Sequence, residues 1–265
     1  MKKIFLAVLA VATVFTVSAQ YKAPQIIANG GYHKHASSGA KNTMSALKAA
    51  QKAKFYGSEC DVNLTKDGKV LVVQNGWHPN GKANPKANVQ YSTAEKMLDI
   101  AYTNGEHIST LDEFLKRAAK KPTTKLILEP KSQATPQRET QLVEEMLAAV
   151  KSAGMENNVE YISFSPWICF ELVKKAPQGS IIQYLAGNYD PRYVKGMGCS
   201  AIDYNYKVLK KKKNWIKQAQ KLGLKVNVWT VNKEEDIRWC IQSGVDFITT
   251  DEPILVKNII KEMCK

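Results

Sequence analysis

The chain has 265 residues, 44% hydrophobic and 23% charged, a globular balance that excludes a collagen-like or disordered polymer. Its formal net charge is +14, but the lysines are scattered apart from Lys210–Lys213, expected on a solvated helix start, and no zinc knuckle or basic helix with interleaved aromatics accompanies them. Nucleic acid is therefore not the expected partner. Five widely spaced cysteines with no C-x-x-C (Cys60, Cys169, Cys199, Cys240 and Cys264) are expected as buried free thiols.

In chain order, Lys2 and Lys3 precede an apolar run over 4–17, and Val17 and Ala19 suit a signal-peptidase site. Residues 1–19 are expected to be a signal peptide, with the mature protein exported to the periplasm or secreted. No later stretch is long and apolar enough to span a bilayer. A strand is expected over 25–29, ending at Gly30-Gly31, then a polar loop over 32–41. Asn42 is the expected N-cap of a helix over 43–54, where Met44, Leu47, Ala50 and Ala53 recur at helical spacing. Strands over 57–63 and 70–74 flank the turn signal Asp67-Gly68. Residues 76–90 read as a loop, and helices follow over 92–99 and 110–119, the second capped by Thr110.

From there strands (125–129, 160–165, 180–185, 201–204, 225–231, 246–250) alternate with helices (137–152, 166–175, 191–196, 215–222, 234–243, 255–263). Such alternation argues for a parallel sheet with helices outside. The expected fold is a single-domain, somewhat irregular (β/α)8 TIM barrel over 21–265. Nine candidate strands compete for eight places, so one, around 57–75 or 180–205, is expected to be irregular or peripheral. A doubly wound sheet is the alternative, but no G-x-G-x-x-G follows the first strand.

Ligands of such a barrel gather at the C-terminal ends of its strands. Glu59 and Asp61 share one strand face, with Cys60 on the other. Alone, that spacing also fits a structural ion pair. Glu129 and Lys131 end a neighbouring strand, so three carboxylates can converge with a lysine beside them. Clustered carboxylates suit a hard cation, Ca2+ or Mg2+, and a lysine next to a cation suits a phosphate.

These motifs resemble the glycerophosphodiester phosphodiesterase family. Glu59-Cys60-Asp61-Val62 followed by Leu64-Thr65-Lys66-Asp67-Gly68 is similar to its E-x-D-V…L-T-K-D-G block, and Leu128-Glu129-Pro130-Lys131 to its L-E-x-K. Tyr161 to Ser165 is similar to its S-F segment. Val228-Trp229-Thr230-Val231-Asn232 and Gly244-Val245-Asp246…Thr250-Asp251-Glu252-Pro253 are similar to its W-T-V-N and G-V-D…T-D-x-P ends. The resemblance covers about residues 25 to 255 in one order. It implies a barrel, a divalent cation, and hydrolysis of glycerophosphodiesters to glycerol phosphate and an alcohol. It implies Glu59, Asp61 and Glu129 as metal ligands, Lys131 on the phosphate and Trp229 lining the pocket.

The departures bear on the chemistry. Asn29 and Asn75 stand at the family's two acid/base histidines, Gly30 at its phosphate-binding arginine, and Lys41-Asn42-Thr43 at its E-N-T. Asparagine can hydrogen-bond an oxygen but cannot shuttle a proton near neutral pH. Each lost general acid or base typically costs about 10²- to 10⁴-fold. The expectation is an exported family member that binds a glycerophosphodiester or related phosphate or polyol ligand and is weak or inactive in hydrolysis. The alternative is an active metal-dependent phosphodiesterase using His78, His35 or metal hydroxide.

Overall fold

The computed structural model describes residues 21–74 and 88–264. Its strands are β1 (Gln25–Ala28), β2 (Gly57–Leu64), β3 (Val70–Val72), β4 (Ser109–Thr110), β5 (Lys125–Pro130), β6 (Val159–Ser163), β7 (Ile182–Tyr184), β8 (Ala201–Asn205), β9 (Lys225–Trp229) and β10 (Phe247–Thr250). Eight of them pair in parallel in the order β1-β10-β9-β8-β7-β6-β5-β2, and β2 returns to β1 through Ile27↔Gly57 and Ala28↔Ser58. The result is a closed (β/α)8 barrel. Gly57 makes that closure possible: a Cβ there would lie 2.8 Å from Cγ1 of Ile127 and 3.3 Å from Cγ1 of Ile27.

The surplus strand is the one over 70–74. As β3 it pairs antiparallel with β2 (Val62↔Val72) and with the two-residue β4 (Val72↔Ser109), outside the barrel. The tight turn after β2 forces this: a parallel neighbour needs a crossover of a dozen or more residues. Leu71, Val73, Val89, Met97, Tyr102 and Ile108 bury their own small core in this appendage. The expected loop over 76–90 and the leader over 1–19 lie largely or wholly outside the described residues.

The helices follow the capping chemistry. Thr110 and Glu113 form a reciprocal capping box on Leu111–Ala118, and Thr135 and Ser165 cap helices that begin with Pro136 and Pro166. Two readings change. Thr43, not Asn42, caps Met44–Ala53 through Ala46 N–H. Lys210 and Lys211 end a short helix, Tyr206–Lys211, rather than start one. No helix among the described residues is long and apolar enough to cross a membrane. All five cysteines are free, four of them buried.

Side chains alternate along each barrel strand. Cys60, Val62, Leu126, Leu128, Ile202, Tyr204, Val226 and Val228 point outward into the core shared with the helices. Ile27, Ile127, Ile162, Leu185 and Phe247 pack inside. The same inward phase carries Glu59, Glu160, Gln183, Asp203, Asn227 and Thr249, all buried. Branched apolar side chains usually fill a barrel of this kind, so its polar interior asks for partners.

Candidate active-site cleft at the barrel mouth

Strand register builds the acidic cluster. In the β2–β5 pair Asp61 lies opposite Glu129, with Glu59 two residues before Asp61 on the same face. One carboxylate oxygen from each of Glu59, Asp61 and Glu129 lies within 4.8 Å of the others. Lys131 Nζ bridges two of them, 2.7 Å from Asp61 Oδ1 and in contact with Glu129 Oε1. Among the described residues, one ammonium thus pairs with this cluster of three buried carboxylates. Burial pushes Glu129 up to about 7, with Asp61 adding to the rise and Lys131 opposing it. Burial, then the charges of Asp61 and Glu129, raise Glu59 well above the carboxylate range. The all-oxygen donor set and its uncompensated charge fit a hard divalent cation.

Two loop residues hold this cluster in shape. Gly30 N–H donates to Glu59 Oε2 at 2.6 Å. Asn42, in the left-handed region at φ 62°, donates from Nδ2 to Asp61 Oδ2 (2.7 Å) and accepts Asp61 N–H on Oδ1 (2.9 Å). Asparagine tolerates that conformation better than most residues. Sequence reasoning took Asn42 for a helix cap and missed this role, although its place in the E-N-T-like triplet was a signal.

The first-strand wall is equally connected. Asn29 Nδ2 donates to Asp251 Oδ1 at 2.9 Å, Asn232 Nδ2 donates to Asp251 Oδ2 at 2.8 Å, and Lys41 Nζ pairs with Asp251 Oδ1 at 2.7 Å. The Lys41 side chain runs over Gly30, where a Cβ would come within 2.5 Å of Lys41 Cβ. Glycine at 30 and lysine at 41 are therefore coupled: the lysine stem fills the space that a side chain at 30 would take.

Opposite, Trp229 Nε1 donates to the Asp203 carbonyl at 2.9 Å, and its ring meets Phe164 edge-on with centroids 5.4 Å apart. Lys131 Nζ sits 5.9 Å from the Phe164 centroid. These groups, with Gln74, Leu185 and Thr230, line a cleft of about 200 Å³ that holds the acidic cluster, Asn29 and Lys41. Asp203 lies on its lining with both carboxyl oxygens unpartnered among the described residues, and burial, reinforced by Glu129, raises its carboxyl well above the usual range.

Of the residues expected at the site, Glu59, Asp61, Glu129, Lys131, Trp229 and Asn29 converge on one cleft. Asn75 and His78 lie outside the described residues. His35 stacks on Tyr32 with ring centroids 4.4 Å apart, is exposed, and is not among the described residues that line the cleft. Lys41 and Asp203 were not singled out for this cleft, and Phe164 only as part of the S-F-like segment. Asp203 was recoverable from strand alternation, whereas Lys41 needed the loop geometry.

A model of the glycerophosphoryl diester phosphodiesterase family matches residues 28–255. A glycerophosphodiester phosphodiesterase of Caldanaerobacter subterraneus is 28% identical over 239 residues, covering 84% of this chain and 93% of that one. The crystal structure of a glycerophosphodiester phosphodiesterase from Parabacteroides distasonis superposes with a TM-score of 0.86 at 34% identity, covering 92% of this chain and 100% of the other. An Oleispira antarctica phosphodiesterase, solved with its product sn-glycerol-3-phosphate, shares the fold at a TM-score of 0.75 and 16% identity, covering 90% of this chain and 97% of its own. With the family model spanning most of the barrel and its acidic cluster, this chain belongs to the glycerophosphoryl diester phosphodiesterase family.

Proposed function

We propose that this protein binds a glycerophosphodiester, or a related phosphorylated polyol, against a Ca2+ or Mg2+ ion held by Glu59, Asp61 and Glu129, and that it cleaves the diester slowly or not at all. The observation that carries the reading is the buried three-carboxylate cluster bridged by Lys131. A divalent cation there neutralises the carboxylates and attracts a phosphate oxygen. Lys131, within reach of the same space, adds a second positive charge for the phosphate. Trp229 and Phe164 supply an apolar wall for the carbon chain.

Proton transfer is the weak point. The Asn29 amide is committed to donating to Asp251, and it has no titratable nitrogen to take a proton from a nucleophile or give one to a leaving alkoxide. With asparagine at 75 as well, both histidine positions of the family motif lack a proton carrier. Residues 1–19 support export, with the mature chain periplasmic or secreted.

The test is turnover of glycerophosphocholine and bis-p-nitrophenyl phosphate by purified protein, with Ca2+ or Mg2+ and with chelator, alongside thermal melting. The expected result is a cation-dependent rise in Tm, absent in Glu59→Gln, with turnover near background. A cation present at 100 times its Kd stabilises by about 2.7 kcal/mol. Chelator-sensitive turnover well above background would replace this reading with an active enzyme. A Tm rise unchanged in Glu59→Gln would remove the metal assignment.

A further inference from the structure

Buried polar groups in proteins are nearly always hydrogen-bonded. The acids inside this barrel obey that rule with one exception. Glu59 accepts Gly30 N–H, Asp61 is held by Asn42 and Lys131, and Glu129 by Lys131. Deeper in the barrel, Glu160 accepts from the Tyr56 hydroxyl and from Gln183 Nε2. Asp203 is 1% exposed, and neither of its carboxyl oxygens has a partner among the described residues.

Its position is specific. Ile202 and Tyr204 belong to the outer core, so the alternation of β8 turns Asp203 inward, where it lines the cleft. It pairs in register with Asn227 of β9, whose Nδ2 is also unpartnered. It stands apart from the cation cluster, which comprises Glu59, Asp61 and Glu129 only. Its backbone carbonyl accepts the Trp229 indole N–H at 2.9 Å, tying the aromatic wall to this strand. A valine or isoleucine here would fill the interior without leaving a polar atom unmet.

We infer that Asp203, with Asn227 beside it, is the hydroxyl-recognising group of the cleft, accepting a hydrogen bond from the polyol portion of a phosphorylated ligand whose phosphate lies at the Lys131 and carboxylate end. The inference rests on the reading of the cleft as a phosphate-ester site. A hydroxyl suits the place better than a second phosphate, because a hydroxyl exchanges hydrogen bonds with a buried carboxyl and amide, whereas a phosphate would bring a further charge into a buried spot. The unmet hydrogen-bonding capacity is then filled on binding, and a ligand lacking the hydroxyl leaves it unfilled.

The experiment compares binding of sn-glycerol 3-phosphate and n-propyl phosphate, which has no free hydroxyl on its chain, by calorimetry at saturating Ca2+ or Mg2+. Wild type is expected to prefer the glycerol ester by roughly tenfold or more, the size of one hydrogen bond. In Asp203→Val the preference is expected to vanish, with propyl phosphate affinity kept within about threefold, a smaller change than one net hydrogen bond. Asp203→Asn, which keeps an accepting oxygen, is expected to retain part of the preference. Asp203→Val should also melt no lower than wild type, because it removes an unmet buried carboxyl. A preference that persists in Asp203→Val overturns the assignment and makes Asp203 a structural residue. Failure of wild type to bind either ester overturns the cleft reading and this assignment together.

Discussion

Two groups of buried acids occupy the same barrel, and their surroundings differ. Near the strand N-termini, Glu160 has two neutral donors, Tyr56 and Gln183, one from each side. At the mouth, Glu59, Asp61 and Glu129 crowd within 4.8 Å, and one lysine bridges two of them. The first arrangement is complete as it stands. The second carries more negative charge than its own donors balance, and a buried charge without a counter-charge is costly. The contrast separates an acid met by its own neighbours from acids that, under the proposed function, hold a cation.

Removing Lys131, the lysine that pairs with the acidic cluster, should break the contrast most strongly. Lys131→Met removes the counter-charge of Asp61 and Glu129 beside the buried Glu59, and truncating one partner of a buried pair typically costs about 3–5 kcal/mol. The loss should appear in denaturant melts made with chelator and shrink when Ca2+ or Mg2+ is added. A cation-independent loss would mean that the cluster does not hold the ion.

The deeper acid should respond weakly. Glu160→Gln keeps the shape and most of the hydrogen bonding, so the expected change is about 1 kcal/mol, the size of one net hydrogen bond. The cation-induced Tm rise should be unchanged. If Glu160→Gln also abolished that rise, the two groups would be one coupled network rather than two.

The smallest effect concerns Asp251 on the first-strand wall. Burial raises its carboxyl, but Lys41, Asn29 and Asn232 outweigh burial and hold it below the usual range. A carboxyl depressed in the folded state stabilises the fold above its unfolded pKa of about 3.9, and that contribution is lost as pH falls through the lower folded value. The Tm difference between wild type and Asp251→Asn should therefore be constant near neutrality and narrow below about pH 4. A difference that widens in acid would reverse the sign and contradict the Lys41–Asp251–Asn29 arrangement.

Much of this molecule was legible before the coordinates. The alternation of strands and helices after residue 125 follows from local periodicity and from Pro and Gly punctuation, and the barrel carries it through. The motifs E-x-D and L-E-P-K placed their acids on inward faces because side-chain phase in a strand is a local property. The surplus strand was countable but not assignable, since only pairing partners distinguish β3 from a barrel strand.

Asn42 shows where local reasoning stops. An asparagine before a helical pattern is a good cap by propensity, but Thr43 does the capping and Asn42 turns left-handed to clamp Asp61, nineteen residues away. Gly30 and Lys41 are similar: separately they read as losses from the family pattern, and together they occupy one volume.

The sequence by itself determined the barrel, the family and the acids at its mouth, because strand phase, capping and motif order are set by neighbours in the chain. Only the tertiary structure decided which polar groups are met and which are not. Whether a buried Asp203 has a partner depends on the strands that close around it, and hydrogen bonds across a barrel join residues that the chain keeps far apart.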